Sequence, residues 1–191
     1  MRLPEPSRVV RWKAVEGEGL EHLLLRVDDA GVSAAGMIIG ERFGEPYAVR
    51  YDIICDAGWC VRRLSVDSLD GGGLVLLGDG QGRWTDGAGQ PIEALDGAID
   101  VDLTASCFTN TLPLRRLGSA LAGRTEIAVA YVNIPGMACT PARQAYTRIA
   151  PGRVLYEGIG SDFQAELEVD EDDLVLRYPG LFDRIEAQAI A

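Results

Sequence analysis

The strongest constraint in this sequence is the alternation of side-chain character along many short segments. Residues 48–53, 99–103, 126–131 and 163–170 each carry apolar side chains at every second position. A period of two is typical of β-strands that turn one face to a core and the other to water. We therefore expect a mainly β fold with little helix.

Glycines separate these segments from one another. Most of the 23 glycines fall between the alternating runs, as in residues 70–73 and 78–82. Asp-Gly and Gly-Gly pairs supply the positive φ angles that tight hairpins need, so the strands are expected to be antiparallel neighbours. Only residues 113–121 and the C-terminal stretch 181–188 fit a short helix.

The chain also resembles itself at an offset of 105 residues. This offset places Val27 on Val132 and Tyr51 on Tyr156 without a gap, and short deletions extend the match to Leu174-Val175-Leu176. We expect one domain, residues 1–191, made of two similar halves at about 12–84 and 118–186. The segment 90–117 joins them. Pairing of the halves into an antiparallel rolled sheet or barrel-like β-roll would protect the strand edges.

The composition limits the kinds of molecule that this protein is expected to bind. The net charge is −11, from 29 acidic and 18 basic residues, which disfavours nucleic acid and anionic headgroups. The N-terminus lacks the apolar region of a secretory signal, and no apolar run approaches the roughly 20 residues of a membrane-spanning helix. The expected compartment is the cytoplasm, and the oligomeric state stays open.

Metal and cofactor chemistry finds little support. Cys55, Cys60, Cys107 and Cys139 form no C-x-x-C pair, and His22 is the one histidine. The sequence has neither a G-x-G-x-x-G fingerprint nor a phosphate-binding loop. A serine or cysteine nucleophile would have to rely on His22. We therefore expect no metal, no cofactor and no catalytic residue that the sequence can identify.

The segment between the halves carries the most distinctive polar residues. Asp100 and Asp102 lie two apart on a predicted strand, so both carboxylates project from one face. They suit acid–base chemistry on a glycoside, or structural pairs with Arg115 or Arg116, whose planar fork fits a carboxylate. The structural pairing is the favoured interpretation.

Two further sets are candidates for a ligand site. Thr109, Asn110 and Thr111 have short polar side chains that can hydrogen-bond sugar hydroxyls. Such residues also commonly satisfy their own backbone in turns, and that structural interpretation is the favoured one. Of the nine tryptophans and tyrosines, most are expected in the core. Trp59 and Trp84 are the stronger candidates for a pocket wall, because both lie beside polar, glycine-rich turns.

The connecting segment resembles one known family. It contains a D-x-D-L strand at 100–103 followed by F-T-N-T-L-P-L-R-R-L at 108–117, and similar positions extend from Trp12 to Phe182. In these residues the chain is similar to the family of putative glycolipid-binding proteins. It departs from the family near Ala98, where the family has a cysteine, and near Cys107, where the family has a proline.

The resemblance implies a rolled β structure with internal duplication and a ligand that joins an apolar part to a sugar. It implies no catalytic residue. The leading hypothesis is a binding protein for a glycolipid or another amphipathic small molecule. Its candidate ligand-binding residues are Trp59, Trp84, Asp100, Asp102, Thr109, Asn110, Arg115 and Arg116. The alternatives are a sugar- or lipid-processing enzyme that uses Asp100 or Asp102, and an interaction module without a pocket.

Overall fold

Fourteen strands form one continuous sheet in the computed structural model, which describes residues 7–185. The first seven strands are β1 (Ser7–Ala14), β2 (Gly19–Asp28), β3 (Gly31–Arg42), β4 (Glu45–Cys55), β5 (Val61–Ser68), β6 (Gly73–Gly78) and β7 (Trp84–Asp86). The second seven are β8 (Asp100–Leu103), β9 (Thr125–Asn133), β10 (Ala138–Ala150), β11 (Arg153–Ile159), β12 (Gln164–Val169), β13 (Val175–Tyr178) and β14 (Phe182–Ile185). Strand accounts for 59% of residues and helix for 10%, so the expected mainly β fold with little helix is confirmed.

The sheet order follows the chain in two meanders. It runs β7-β6-β5-β4-β3-β2-β1, then continues through the β1–β14 pair to β13-β12-β11-β10-β9-β8. Every pair is antiparallel except β8 with β9, which is parallel. This shared strand order is what two similar halves require, and the duplication itself stays a prediction.

The sheet rolls up without closing into a barrel. Its edges are β7 and β8, which do not pair with each other in the described part of the chain. The Val61 amide of β5 donates to the Ile99 carbonyl at 3.4 Å, and the Gly97 amide donates to the Gly82 carbonyl at 2.8 Å. The architecture is therefore an open roll.

The connecting segment fills the interior of this roll. It contains two short 3-10 helices, Glu93–Leu95 and Phe108–Asn110, and helix α1 (Thr111–Leu117). A further 3-10 helix, Gly118–Ala122, follows the segment. The side chains of Phe108, Leu112 and Leu114 are fully buried. The sheet supplies the other half of the core from the inward positions of its alternating strands, as the period of two predicts.

The C-terminal helix expected over 181–188 is wrong where the chain is described. Residues Phe182–Ile185 form β14 instead, and residues 186–188 lie outside the described part. The helical spacing of Leu181, Arg184 and Ile185 is outweighed by pairing, because β1 offers a free edge on which Arg11 pairs with Ile185 and Ala14 with Phe182.

Candidate functional site

A cleft of about 620 Å³ opens at one end of the roll, which we call the cleft end. At this end lie the turns that join β1 to β2, β3 to β4, β5 to β6, β9 to β10, β11 to β12 and β13 to β14. Seven aromatic side chains line the cleft: Phe43, Tyr47, Tyr131, Tyr156, Phe163, Tyr178 and Phe182. Rings supply large apolar area at low entropic cost, and their faces stack on sugars and acyl chains.

The rings pack against one another as a continuous wall. The Tyr156 ring lies 5.4 Å from that of Tyr146, 5.9 Å from Phe163 and 6.1 Å from Tyr178, measured between ring centroids. Tyr178 in turn lies 6.4 Å from Phe182. The contacts of Tyr156 with Tyr146 and with Phe163, and that of Tyr178 with Phe182, are edge-on, which is a favoured geometry for aromatic pairs. The wall is thus held in place before any ligand arrives.

Asp102 lies at the polar floor of the cleft. Its Oδ1 accepts from the Thr109 hydroxyl at 3.1 Å, and its Oδ2 accepts from the Gln144 Nε2 at 2.5 Å. The side chain is half-buried and lines the cleft. A carboxylate accepts about four hydrogen bonds, so these two donors fix its orientation and leave capacity for ligand hydroxyls.

Asn110 and Tyr146 extend this polar floor. The Tyr146 hydroxyl lies 3.1 Å from both Asn110 Oδ1 and Gln144 Oε1. Asn110 lines the cleft beside Asp102. Burial raises the pKa of Asp102, and the hydrogen bonds from Gln144 and Thr109 partly offset that rise.

Glu21 is a buried carboxylate behind the cleft that the sequence analysis missed. Its Oε1 accepts from the Tyr51 and Ser106 hydroxyls, each at 2.6 Å, and its Oε2 accepts from the Cys107 amide at 3.0 Å. Burial raises its pKa to about 6, although all three donors lower it. These bonds attach the connecting segment to β2 and β4. The one signal in the sequence is that Glu21 alternates with the apolar Leu23 and Leu25, which places an acidic side chain on a strand face that is buried.

The other aspartate of the connecting segment is internal. Asp100 is fully buried, and Arg116 binds it through Nε–Oδ1 at 3.1 Å and Nη2–Oδ2 at 2.5 Å. Burial raises the pKa of Asp100, and the guanidinium opposes that rise. The favoured structural pairing is therefore present for Asp100 and Arg116, and of the two aspartates only Asp102 reaches the cleft.

A second groove, of about 470 Å³, lies at the opposite end of the roll. Trp59 lines it, with the Arg115 guanidinium 5.3 Å from the centre of the indole ring. β1 spans both sites, since Ser7 lines the groove and Ala14 lines the cleft. Seven residue steps separate the two, which is about 23 Å along a strand.

The eight predicted ligand-binding residues thus fall in three places. Asp102 and Asn110 line the aromatic cleft, and Trp59 and Arg115 line the second groove. Asp100 and Thr109 are buried, and the side chain of Arg116 is 15% exposed. Trp84 is also internal, with 2% of its surface exposed and its indole N–H donating to the Ala98 carbonyl at 2.7 Å. Their roles in binding stay predictions, and the tyrosines expected in the core form most of the cleft wall.

The part of the chain that the structure describes contains neither a candidate metal site nor a membrane-spanning helix. Within residues 7–185, no three histidine, cysteine or acidic side chains are grouped to hold a metal ion. No helix in the same range has the length and apolar character needed to cross a membrane. Cys55 and Cys107 are buried free thiols, and Cys60 and Cys139 are partly buried ones.

Comparison with known proteins supports a family assignment. The family model described as putative glycolipid-binding matches residues 9–184. A crystal structure of a DUF1089 family protein from Pseudomonas aeruginosa is similar, with 42% sequence identity and a TM-score of 0.76. The match covers 91% of this chain and 95% of that one. Comparison with curated proteins finds no match. With nearly all of its described residues covered, the chain belongs to the putative glycolipid-binding family.

Proposed function

We propose that this protein binds a glycolipid in the aromatic cleft, with the apolar part against the rings and the sugar over Asp102 and Asn110. The observation that carries the proposal is the composition of one cavity. Its wall is a packed set of tyrosines and phenylalanines, and its floor is an oriented carboxylate beside an amide. An amphipathic ligand needs both kinds of surface within reach of each other.

The size of the cleft fits a small amphiphile. Ligand pockets for molecules of this kind enclose about 300–1,000 Å³. Burial of an acyl chain contributes about 25 cal/mol per Å² of apolar surface removed from water. Hydrogen bonds from sugar hydroxyls to a carboxylate are charge-assisted and therefore stronger than those between neutral groups.

No specific observation in the structure favours the alternative that the protein is an enzyme. It would use Asp100 or Asp102; Asp100 is closed off by Arg116, and within residues 7–185 Asp102 lines the cleft without a second free carboxylate paired with it as acid and base. The alternative of an interaction module without a pocket is not favoured, because the chain has a cleft of about 620 Å³.

Native mass spectrometry with dodecyl maltoside below its micelle concentration tests the proposal. We expect a complex of one protein with one glycoside, and much weaker binding of maltose alone or of dodecanol alone. Tyr131→Ala should weaken the complex, because Tyr131 lines the cleft on β9. Ile149→Ser is the matched control, since Ile149 is exposed at the far end of β10. Equal binding by both variants would contradict the assignment of the site.

A further inference from the structure

Twelve large apolar side chains are exposed among the described residues; five of them lie in the turns at the cleft end, and the other seven lie on strands. Five of the six turns there carry one: Val15 (45% exposed), Phe43 (94%), Leu69 (83%), Phe163 (44%) and Leu181 (39%). Phe43, Phe163 and Leu181 also line the mouth of the cleft. Scattered apolar residues on a surface need no explanation, but a set gathered around one opening marks an interaction surface.

The turns at the opposite end have a different character. Those after β2, β4, β6 and β12 are rich in aspartate, at Asp28–Asp29, Asp56, Asp79 and 170–173. Among the described residues, no large apolar side chain in these turns, or in the β10–β11 turn, is exposed. Over residues 7–185, exposed large apolar side chains therefore occur in the turns of the cleft end and not in those of the opposite end, whereas acidic residues occur in turns at both ends, at the cleft end as Glu16, Asp70 and Asp162.

Phe43 is the most informative member of the set. It occupies the first central position of the β3–β4 hairpin with φ of 54°, and Gly44 follows with φ of 80°. Turns with two positive φ angles favour asparagine, aspartate or glycine at the first position, and a bulky residue there is strained. Phe43 makes one ring contact, with the Arg42 guanidinium at 5.4 Å, and is otherwise open to solvent. Packing within the protein therefore does not account for a phenylalanine at this position.

The charges around the opening indicate which surface it fits. Glu16 and Glu41 line the cleft alongside Arg42, and the chain as a whole carries a net charge of −11. An anionic surface would be repelled by this field. An uncharged or zwitterionic lipid surface would accept the apolar turns without that repulsion.

We propose that the cleft end docks onto a bilayer of uncharged headgroups, with Phe43, Leu69, Phe163 and Leu181 inserted at the interface. The mouth of the cleft then faces the lipids directly, so that a glycolipid can pass from the bilayer into the cleft. The lipid-uptake part of this inference rests on the proposed function, and the docking part stands on the turns themselves. Interfacial binding of this kind scales with the apolar area that is buried.

Vesicle flotation tests the docking. Wild-type protein should float with phosphatidylcholine vesicles and float less when phosphatidylglycerol is added. Phe43→Ser should lower the partition coefficient by about tenfold or more, as expected when one phenylalanine no longer leaves water. Leu69→Ser should also lower it, although Leu69 does not line the cleft. Ile149→Ser, at a position that is 47% exposed on the far end of the sheet, should float like the wild type.

Dodecyl maltoside binding separates the two proposals. If Leu69→Ser loses flotation and still binds the soluble glycoside, both proposals are supported. Flotation without any glycoside binding would overturn the proposed function and leave the docking surface intact. Absence of wild-type flotation, or equal losses in Leu69→Ser and Ile149→Ser, would overturn the docking. A second result would also overturn the docking: the wild type sediments as a dimer, Phe43→Ser sediments as a monomer, and neither floats with vesicles. In that case a second copy of the chain would cover this end.

Discussion

Arg116 donates from Nε and Nη2, on one edge of its guanidinium group, to the two carboxylate oxygens of Asp100, in a pair where the carboxylate is fully buried and the arginine side chain is 15% exposed. Asp100 begins β8 and Arg116 lies near the end of α1, so this pair fixes the helix against the edge strand of the sheet. Bidentate geometry is directional, which makes the contact a positional constraint as well as an attraction.

Asp100→Ala should destabilise the protein by about 3–5 kcal/mol, because it leaves the arginine charge in a buried site without a partner. Urea denaturation of the variant measures this change in the free energy of unfolding. Glu166→Ala is the matched control, since it removes the partner of Arg153 from an exposed pair. Such surface pairs contribute about 0–1 kcal/mol. Equal losses in the two variants would show that the Asp100 pair is solvated.

Glu21 should give stability a specific dependence on pH. Its folded-state pKa, about 6, lies above the ordinary value of 4.5, so the folded protein holds this proton more tightly than the unfolded chain does. The resulting stabilisation is complete below pH 4.5 and is lost as pH rises through about 6. It amounts to roughly 2 kcal/mol, from about 1.4 kcal/mol per pKa unit.

Glu21→Gln removes this titration. Denaturation curves at pH 4.5, 6 and 7.5 should therefore show the wild type losing stability relative to the variant as pH rises. A difference between wild type and variant that stays constant across the three pH values would mean that Glu21 does not titrate in this range.

Gly36→Ala should disrupt the same buried cluster by a steric route. A Cβ at Gly36 would lie 2.2 Å from the Tyr51 ring, which cannot move without releasing its hydrogen bond to Glu21. Overpacking of this kind costs about 1–3 kcal/mol, and the lost hydrogen bond adds to it. Thermal unfolding measures the loss. Gly123→Ala is the control, because its added Cβ meets no atom within 4 Å and its φ is −120°. A smaller loss at Gly36 than at Gly123 would contradict this packing.

The fold was predictable from the sequence to the extent that local pattern determines it. The period of two identified the inward faces of the strands, and Tyr51, Ile53 and Leu167 are buried as that pattern requires. The pairing of β1 with β14 was not predictable, because it joins residues more than 160 positions apart and overrides a weak helical spacing near the C-terminus.

The candidate site was predictable only in part, for a similar reason. Asp102 and Asn110 were selected from a distinctive local motif, and both line the cleft. Tyr156 and Tyr178 were assigned to the core because both lie on inward faces of strands. The sequence pattern of such a tyrosine does not show whether its ring packs against other side chains or faces an open cleft. Trp59 and Trp84 were chosen for their glycine-rich neighbours, which form turns at the end of the roll away from the cleft. Which end is open depends on how the connecting segment fills the interior.

Asp102→Asn should change which headgroup the cleft accepts. In the proposed complex the carboxylate at the cleft floor accepts hydrogen bonds from sugar hydroxyls and would repel phosphate oxygens, and the substitution removes its charge while keeping its shape. A hydrogen bond to a charged group contributes about 1.5–3 kcal/mol, so affinity for dodecyl maltoside should fall by roughly tenfold or more. Affinity for dodecyl phosphate should rise at the same time, because the repulsion is gone. Native mass spectrometry with both amphiphiles in one solution measures the ratio directly. Asp172→Asn, which removes an exposed carboxylate from the second groove, should leave the ratio unchanged. If Asp102→Asn and the wild type bind the two amphiphiles in the same ratio, the headgroup does not lie over Asp102.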